Sequence, residues 1–125
     1  MPPERILIID DEEDIRLIAE ISLRLTEAWE VVTAESATAG LTIAREWIPD
    51  AILLDVMMPD MNGPTAVEQL QTDPSTARIP VVLLTAKVQP ADRQRYLQIG
   101  VRGVIAKPFD PLTLGASMRE LLGWG

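Results

Sequence analysis

The chain has 125 residues, a formal net charge of −8, and neither cysteine nor histidine. That balance argues against binding nucleic acid or an anionic membrane surface through basic residues. It also removes disulfides, thiolate metal sites and the commonest general base. With 47% hydrophobic residues, no apolar run long enough to span a bilayer and no signal-peptide pattern in MPPERILIIDD, the chain reads as one globular domain over 1–125, expected in the cytoplasm with no output domain.

The first apolar run is RILII at 5–9, and residues 14–26 follow with helical spacing. On that helix Ile15, Ile18, Ala19, Ser22 and Leu25 form one stripe. WEVVTA at 29–34 alternates more than the other runs and reads as an edge strand, and Ser36 can cap a helix over 37–47. AILL at 51–54 is followed by a helix over 64–72 that opens at Gly63-Pro64. PVVLL at 80–84 precedes a helix over 90–99, and GVIA at 103–106 precedes one over 111–122. Pro90 and Pro111 open these last two, since proline is favoured just inside a helix start, and Gly123 is a stop signal. The first, third and fourth runs are almost wholly aliphatic, as in parallel strands covered on both faces. Five strands alternating with five helices predict an α/β fold with a doubly wound five-stranded parallel sheet.

Ligands in such sheets bind at the carboxyl ends of the strands. The first strand ends in Asp10-Asp11, the third in Asp55, the fourth in Thr85 and the fifth in Lys107, one of only two lysines in the chain. If the strand order is 2-1-3-4-5, these ends are neighbours along one edge. Asp10 to Asp14 place five carboxylates in five residues directly after a buried strand. Such crowding is costly unless positive charge is supplied. Asp10, Asp11 and Asp55 make an all-oxygen site suited to a hard divalent cation, and magnesium is the natural candidate. A carboxylate set between that cation and Lys107, with the Thr85 hydroxyl beside it, is arranged to accept a phosphoryl group.

Each residue alone has a plainer explanation. Acids at a helix start complement its dipole, and Glu12, Glu13 and Asp14 read as solvated first-turn acids of that kind. Thr85 alone is a turn residue and Lys107 alone a surface cation. The conjunction of four strand ends carries the inference.

The stretches ILIIDDEEDIR, ILLDVMMPDMNG, PVVLLTA and AKPF resemble those of the response-regulator receiver domain of two-component signalling. The resemblance covers nearly the whole chain and implies the flavodoxin-like order 2-1-3-4-5. It implies that Asp55 is the phosphoacceptor, and that Asp11, Asp55 and the backbone carbonyl of Met57 ligate Mg2+ while Asp10 acts through a metal-bound water. Thr85 would be the switch hydroxyl, Lys107 the phosphate-binding lysine, and Lys107-Pro108 a cis bond. The phosphoryl donor would be a histidine kinase or histidine phosphotransfer protein, and an unknown downstream protein would dock on residues 90–122.

One position departs from the pattern. Receivers usually carry Tyr or Phe three residues before the lysine, and here that residue is Val104. Valine has one dominant rotamer and little reach, so it cannot report the phosphorylated state by turning inward. This departure keeps one rival in view, a receiver-shaped interaction module that works without phosphate, and a receiver segment of a longer regulator is the other. A flavodoxin-like cofactor binder is disfavoured because DDEED repels phosphate. A phosphatase with a catalytic aspartate is disfavoured because Met57 stands where a second acid is needed. By family geometry Met57 and Lys87 flank the path of a hydrolytic water, and neither is suited to orient it.

Overall fold

The computed structural model describes residues 3–125. Its elements are β1 (Arg5–Ile9), α1 (Glu13–Glu27), β2 (Glu30–Ala34), α2 (Ala37–Trp47), β3 (Ala51–Asp55), α3 (Gly63–Thr72), β4 (Val81–Thr85), α4 (Pro90–Gln98), β5 (Gly103–Ala106) and α5 (Leu114–Leu122). The strands pair in parallel in the order β2-β1-β3-β4-β5. β2 is therefore an edge strand, as its alternating sequence predicts.

Successive strand residues point to opposite faces, and each face is covered by its own set of helices. Leu7, Ile9, Ile52, Leu54, Val81 and Leu83 pack with residues of α2, α3 and α4. Ile6, Ile8, Leu53, Val82 and Leu84 pack with α1 and α5. Burial on both faces explains why β1, β3 and β4 read as continuous aliphatic runs.

Two expectations from the helical pattern need correction. On α1 the buried residues are Ala19, Ser22 and Leu23, while Ile18 is 43% and Leu25 80% exposed. The buried stripe is thus centred on Ala19 and Leu23, four residues apart, and Ile15 only borders it. The other difference is the start of α5, which begins at Leu114 rather than at Pro111. Asp110 accepts a bond from Leu112 N on its side chain (2.8 Å), and its carbonyl accepts from Thr113 N (3.1 Å) and Leu114 N (3.0 Å). These bonds fold 111–113 into a turn, and Thr113, at φ −115°, is the first point from which regular helix can propagate. Pro80 likewise lies just outside β4. It has no N–H to give the ladder, and its carbonyl accepts from Ile52 N.

Candidate functional site

The parallel ladder continues just beyond the strands and fixes the residues at their carboxyl ends. Asp10 N donates to Ala34 O (3.1 Å), Val56 N to Leu84 O (3.2 Å) and Lys107 N to Thr85 O (2.9 Å). Asp10, Asp55 and Thr85 are consequently buried, at 0%, 2% and 1% exposure, whereas Asp11 is exposed at the lip. Three of the side chains are also held by the turns that follow them. Glu12 N donates to Asp10 Oδ1 (2.8 Å), Met57 N to Asp55 Oδ1 (3.2 Å) and Lys87 N to Thr85 Oγ1 (3.0 Å). Short side chains that accept a bond from the backbone two residues on are a standard way of locking a turn.

Lys107 Nζ reaches into this edge from β5. It lies 2.9 Å from Glu12 Oε1, 3.0 Å from Asp10 Oδ2 and 3.3 Å from Asp55 Oδ1. The contact with Glu12 has hydrogen-bond geometry; that with Asp10 Oδ2 is close in distance but not aligned as a hydrogen bond. Asp55 Oδ2 is buried with no hydrogen-bond partner at all. Carboxylate oxygens of Asp10, Asp11 and Asp55 come within 4.8 Å of one another.

The electrostatics follow from this crowding. Burial, then the neighbouring charge of Asp10, pushes the Asp55 carboxyl from 3.8 up to about 6. The Met57 N–H and Lys107 oppose the rise but do not cancel it. For Lys107, burial disfavours the ammonium, yet the bond to Glu12, the close contact with Asp10 and the charges of Asp10 and Asp55 outweigh it and raise its pKa. The lysine stays charged and the central aspartate is left under-neutralised.

The structure therefore brings Asp10, Asp11, Asp55, Thr85 and Lys107 to one edge, and the Lys107-Pro108 bond is cis. Met57 gives its backbone N–H to Asp55, while its side chain is 62% exposed. Lys87 is exposed, with its backbone N–H on Thr85. Two participants escaped the sequence reading. Glu12 is not merely a solvated first-turn acid, since it pairs with Lys107 across 95 residues. Asp60 accepts bonds from Ala37 N (3.2 Å), Thr38 N (2.9 Å) and Thr38 Oγ1 (2.9 Å), pinning the β3–α3 loop to the start of α2. Those bonds, the Thr38 N–H foremost, hold its carboxyl below the usual range. Val104 is 6% exposed and packs in the same cluster as Tyr96, at 2%.

A family model described as the response regulator receiver domain matches residues 6–119. The chain belongs to that family. As a receiver it is similar to the response regulator PleD of Caulobacter vibrioides (strain NA1000 / CB15N), at 44% identity over 119 residues, 94% of this chain and 26% of that protein. It is similar to protein PilH of Pseudomonas aeruginosa at 36% identity, covering 94% of this chain and 97% of that one. The chain spans about a quarter of PleD and 47% of a probable transcriptional regulator, ycf27, of Porphyra purpurea. Among solved structures, the chemotaxis response regulator CheY4 of Vibrio cholerae superposes with a TM-score of 0.88 at 28% identity, over 95% of this receiver and 98% of that chain. The receiver thus has the flavodoxin-like fold that its sequence predicts.

Proposed function

We propose that this receiver takes a phosphoryl group onto Asp55 from a phosphohistidine of a partner kinase or phosphotransfer protein, and signals by protein contact. The observation that carries the reading is Asp55 Oδ2. It is a buried carboxylate oxygen without a partner, in a ring made by Asp10, Asp11 and Lys107. An unpaired buried oxygen is expensive to keep and fits an atom reserved for a ligand or a reaction.

The donor set suits Mg2+: oxygen ligands only, with one carboxylate oxygen left open. Asp11, Asp55 and the Met57 carbonyl would hold it directly, and Asp10 through a water. When bound, it draws charge off the phosphoryl oxygens and offsets the repulsion among the three carboxylates. In the transfer a P–O bond forms at Asp55 as the P–N bond breaks and its electron pair returns to the imidazole of the donor. Lys107 places a fixed positive charge beside the incoming oxygens, and the Thr85 hydroxyl donates to one of them. With no histidine in the chain, the donor must be another protein or another segment.

The reading places the chain in the cytoplasm; no helix among the described residues is long and apolar enough to cross a membrane. The near full-length match to PilH supports a receiver that works without an attached output domain. The partial match to PleD favours the second arrangement, a receiver within a longer regulator. In either arrangement the output surface is α4, β5 and α5, within 90–122. Incubation with acetyl phosphate and Mg2+ tests the chemistry: one acid-stable, base-labile adduct is expected, absent with a chelator and in Asp55→Asn. Labelling that persists in Asp55→Asn contradicts the assignment.

A further inference from the structure

The ammonium of a lysine has three N–H donors, and Lys107 has three carboxylates around it. Only the contact with Glu12 has hydrogen-bond geometry, and a phosphoryl oxygen on Asp55 that enters this ring needs one of the three carboxylates to give way. Asp10 and Asp55 cannot leave: both are buried and both are tied to the backbone of the following turn, Asp10 by its other oxygen and Asp55 by the same Oδ1 that faces Lys107. Either would also be left as an unpaired buried charge. Glu12 differs in every respect. Its side chain is 58% exposed, it is longer and freer, and once released its carboxylate is hydrated by water.

We propose that Glu12 is a positioning residue for phosphoryl transfer: its carboxylate holds Lys107 in the resting receiver, and an oxygen of the incoming phosphoryl group takes its place. The proposal rests on the reading of Asp55 as phosphoacceptor. Glu12 is the solvent-side partner of the cluster, so it meets the arriving anion before the buried carboxylates do. It competes by occupying a donor of Lys107. Glu12 thereby sets how tightly the site holds a phosphoryl group, and it leaves the buried pairing of Lys107 with Asp10 intact. Its own backbone N–H, on Asp10 Oδ1, is independent of the side chain and survives substitution.

The test uses beryllofluoride as the phosphoryl stand-in, titrated at saturating Mg2+ and followed by the amide resonances of Met57 and Lys87. Glu12→Gln keeps the size of the side chain and removes its charge. It should tighten beryllofluoride binding by about two- to five-fold, the scale of a partly exposed ion pair. Glu13→Gln removes the same charge from the next residue, which is exposed and outside the Lys107 cluster, and controls for long-range electrostatics. It should change the affinity less. In a Lys107→Met background Glu12→Gln should have no effect, because the partner it competes for is gone. An unchanged affinity in Glu12→Gln, an equal gain in Glu13→Gln, or a gain that survives without Lys107 each overturns the proposal. Failure of the parent reading looks different: beryllofluoride then gives no Mg2+-dependent response in the unsubstituted receiver, or gives one that persists in Asp55→Asn, and the role of Glu12 falls with it.

Discussion

In the metal-free receiver Asp55 opposes folding at neutral pH, and Asp55→Asn should reveal by how much. The unfolded carboxyl titrates near 3.8 and the folded one near 6. A carboxyl whose pKa is raised by folding binds more protons in the folded state, so stability falls as pH rises from about 4 to about 6 and stays low above that. Below pH 4 both states are protonated and the penalty is absent. A difference of roughly two units corresponds to about 3 kcal/mol at neutral pH, at about 1.4 kcal/mol per unit. Asparagine has nearly the same shape and no charge to desolvate, so the variant should lack this pH-dependent loss. Urea unfolding with a chelator present, at steps from pH 4 to 8, measures it. With a slope of about 1–3 kcal/mol per molar urea, the midpoint of the variant should exceed that of the parent by about 1–3 M at pH 7 and converge with it near pH 4. The variant also leaves Lys107 one carboxylate fewer, but Lys107 keeps Asp10 and Glu12. A parent-minus-variant difference that is flat across this range would refute the burial and charge argument for Asp55.

The same repulsion predicts that Mg2+ raises the unfolding temperature of the parent by mass action, and that Asp11→Ala removes most of that gain while Asp10→Ala removes less; an unchanged magnesium shift in Asp11→Ala places the ion elsewhere. With Val104 packed in the core, beryllofluoride should shift the amides of α4 and β5 less than in receivers with an aromatic at that position. Large shifts throughout 86–106 would assign the switch to Tyr96, which shares the Val104 cluster, or to Arg93, which bonds the carbonyls of Val88 and Val104. Finally, the exposed Met57 and Lys87 side chains neither hold nor orient water well, so the phosphorylated receiver should decay slowly. Met57→Asn and Lys87→Glu should each speed decay at saturating Mg2+, the double variant most of all, and equal decay rates in all four proteins contradict shielding.

The sheet was legible because its three central strands are buried on both faces and therefore read as unbroken aliphatic runs; Ile6–Ile9, Ile52–Leu54 and Val81–Leu84 need no periodicity analysis. The residues at the strand ends followed directly, since in a parallel sheet position along the edge is set by where each run stops. The phase of α1 was not legible. Leu17, Ile18, Ile21 and Leu25 are apolar yet 43–80% exposed, so the helix carries aliphatic residues on both sides and the stripe has no clear centre. The start of α5 was misplaced because proline marks either the first helical turn or a turn before it, and the bonds of Asp110 decide which. Glu12 and Asp60 were missed for one reason. Each is a surface acid whose local sequence explains it adequately, and each acts on a partner, 95 and 22–23 residues away, that only the folded chain brings within reach.

The central claim is that the chemistry occurs on Asp55, and locating the adduct tests it most directly. After reaction with acetyl phosphate and Mg2+, borohydride reduction converts an aspartyl phosphate to homoserine, which peptide mass spectrometry assigns to a position. The account predicts homoserine at residue 55, dependent on Mg2+, with Asp10 and Asp11 recovered unchanged. Homoserine at Asp10 or Asp11, or none anywhere after saturating phosphodonor and Mg2+, would contradict it.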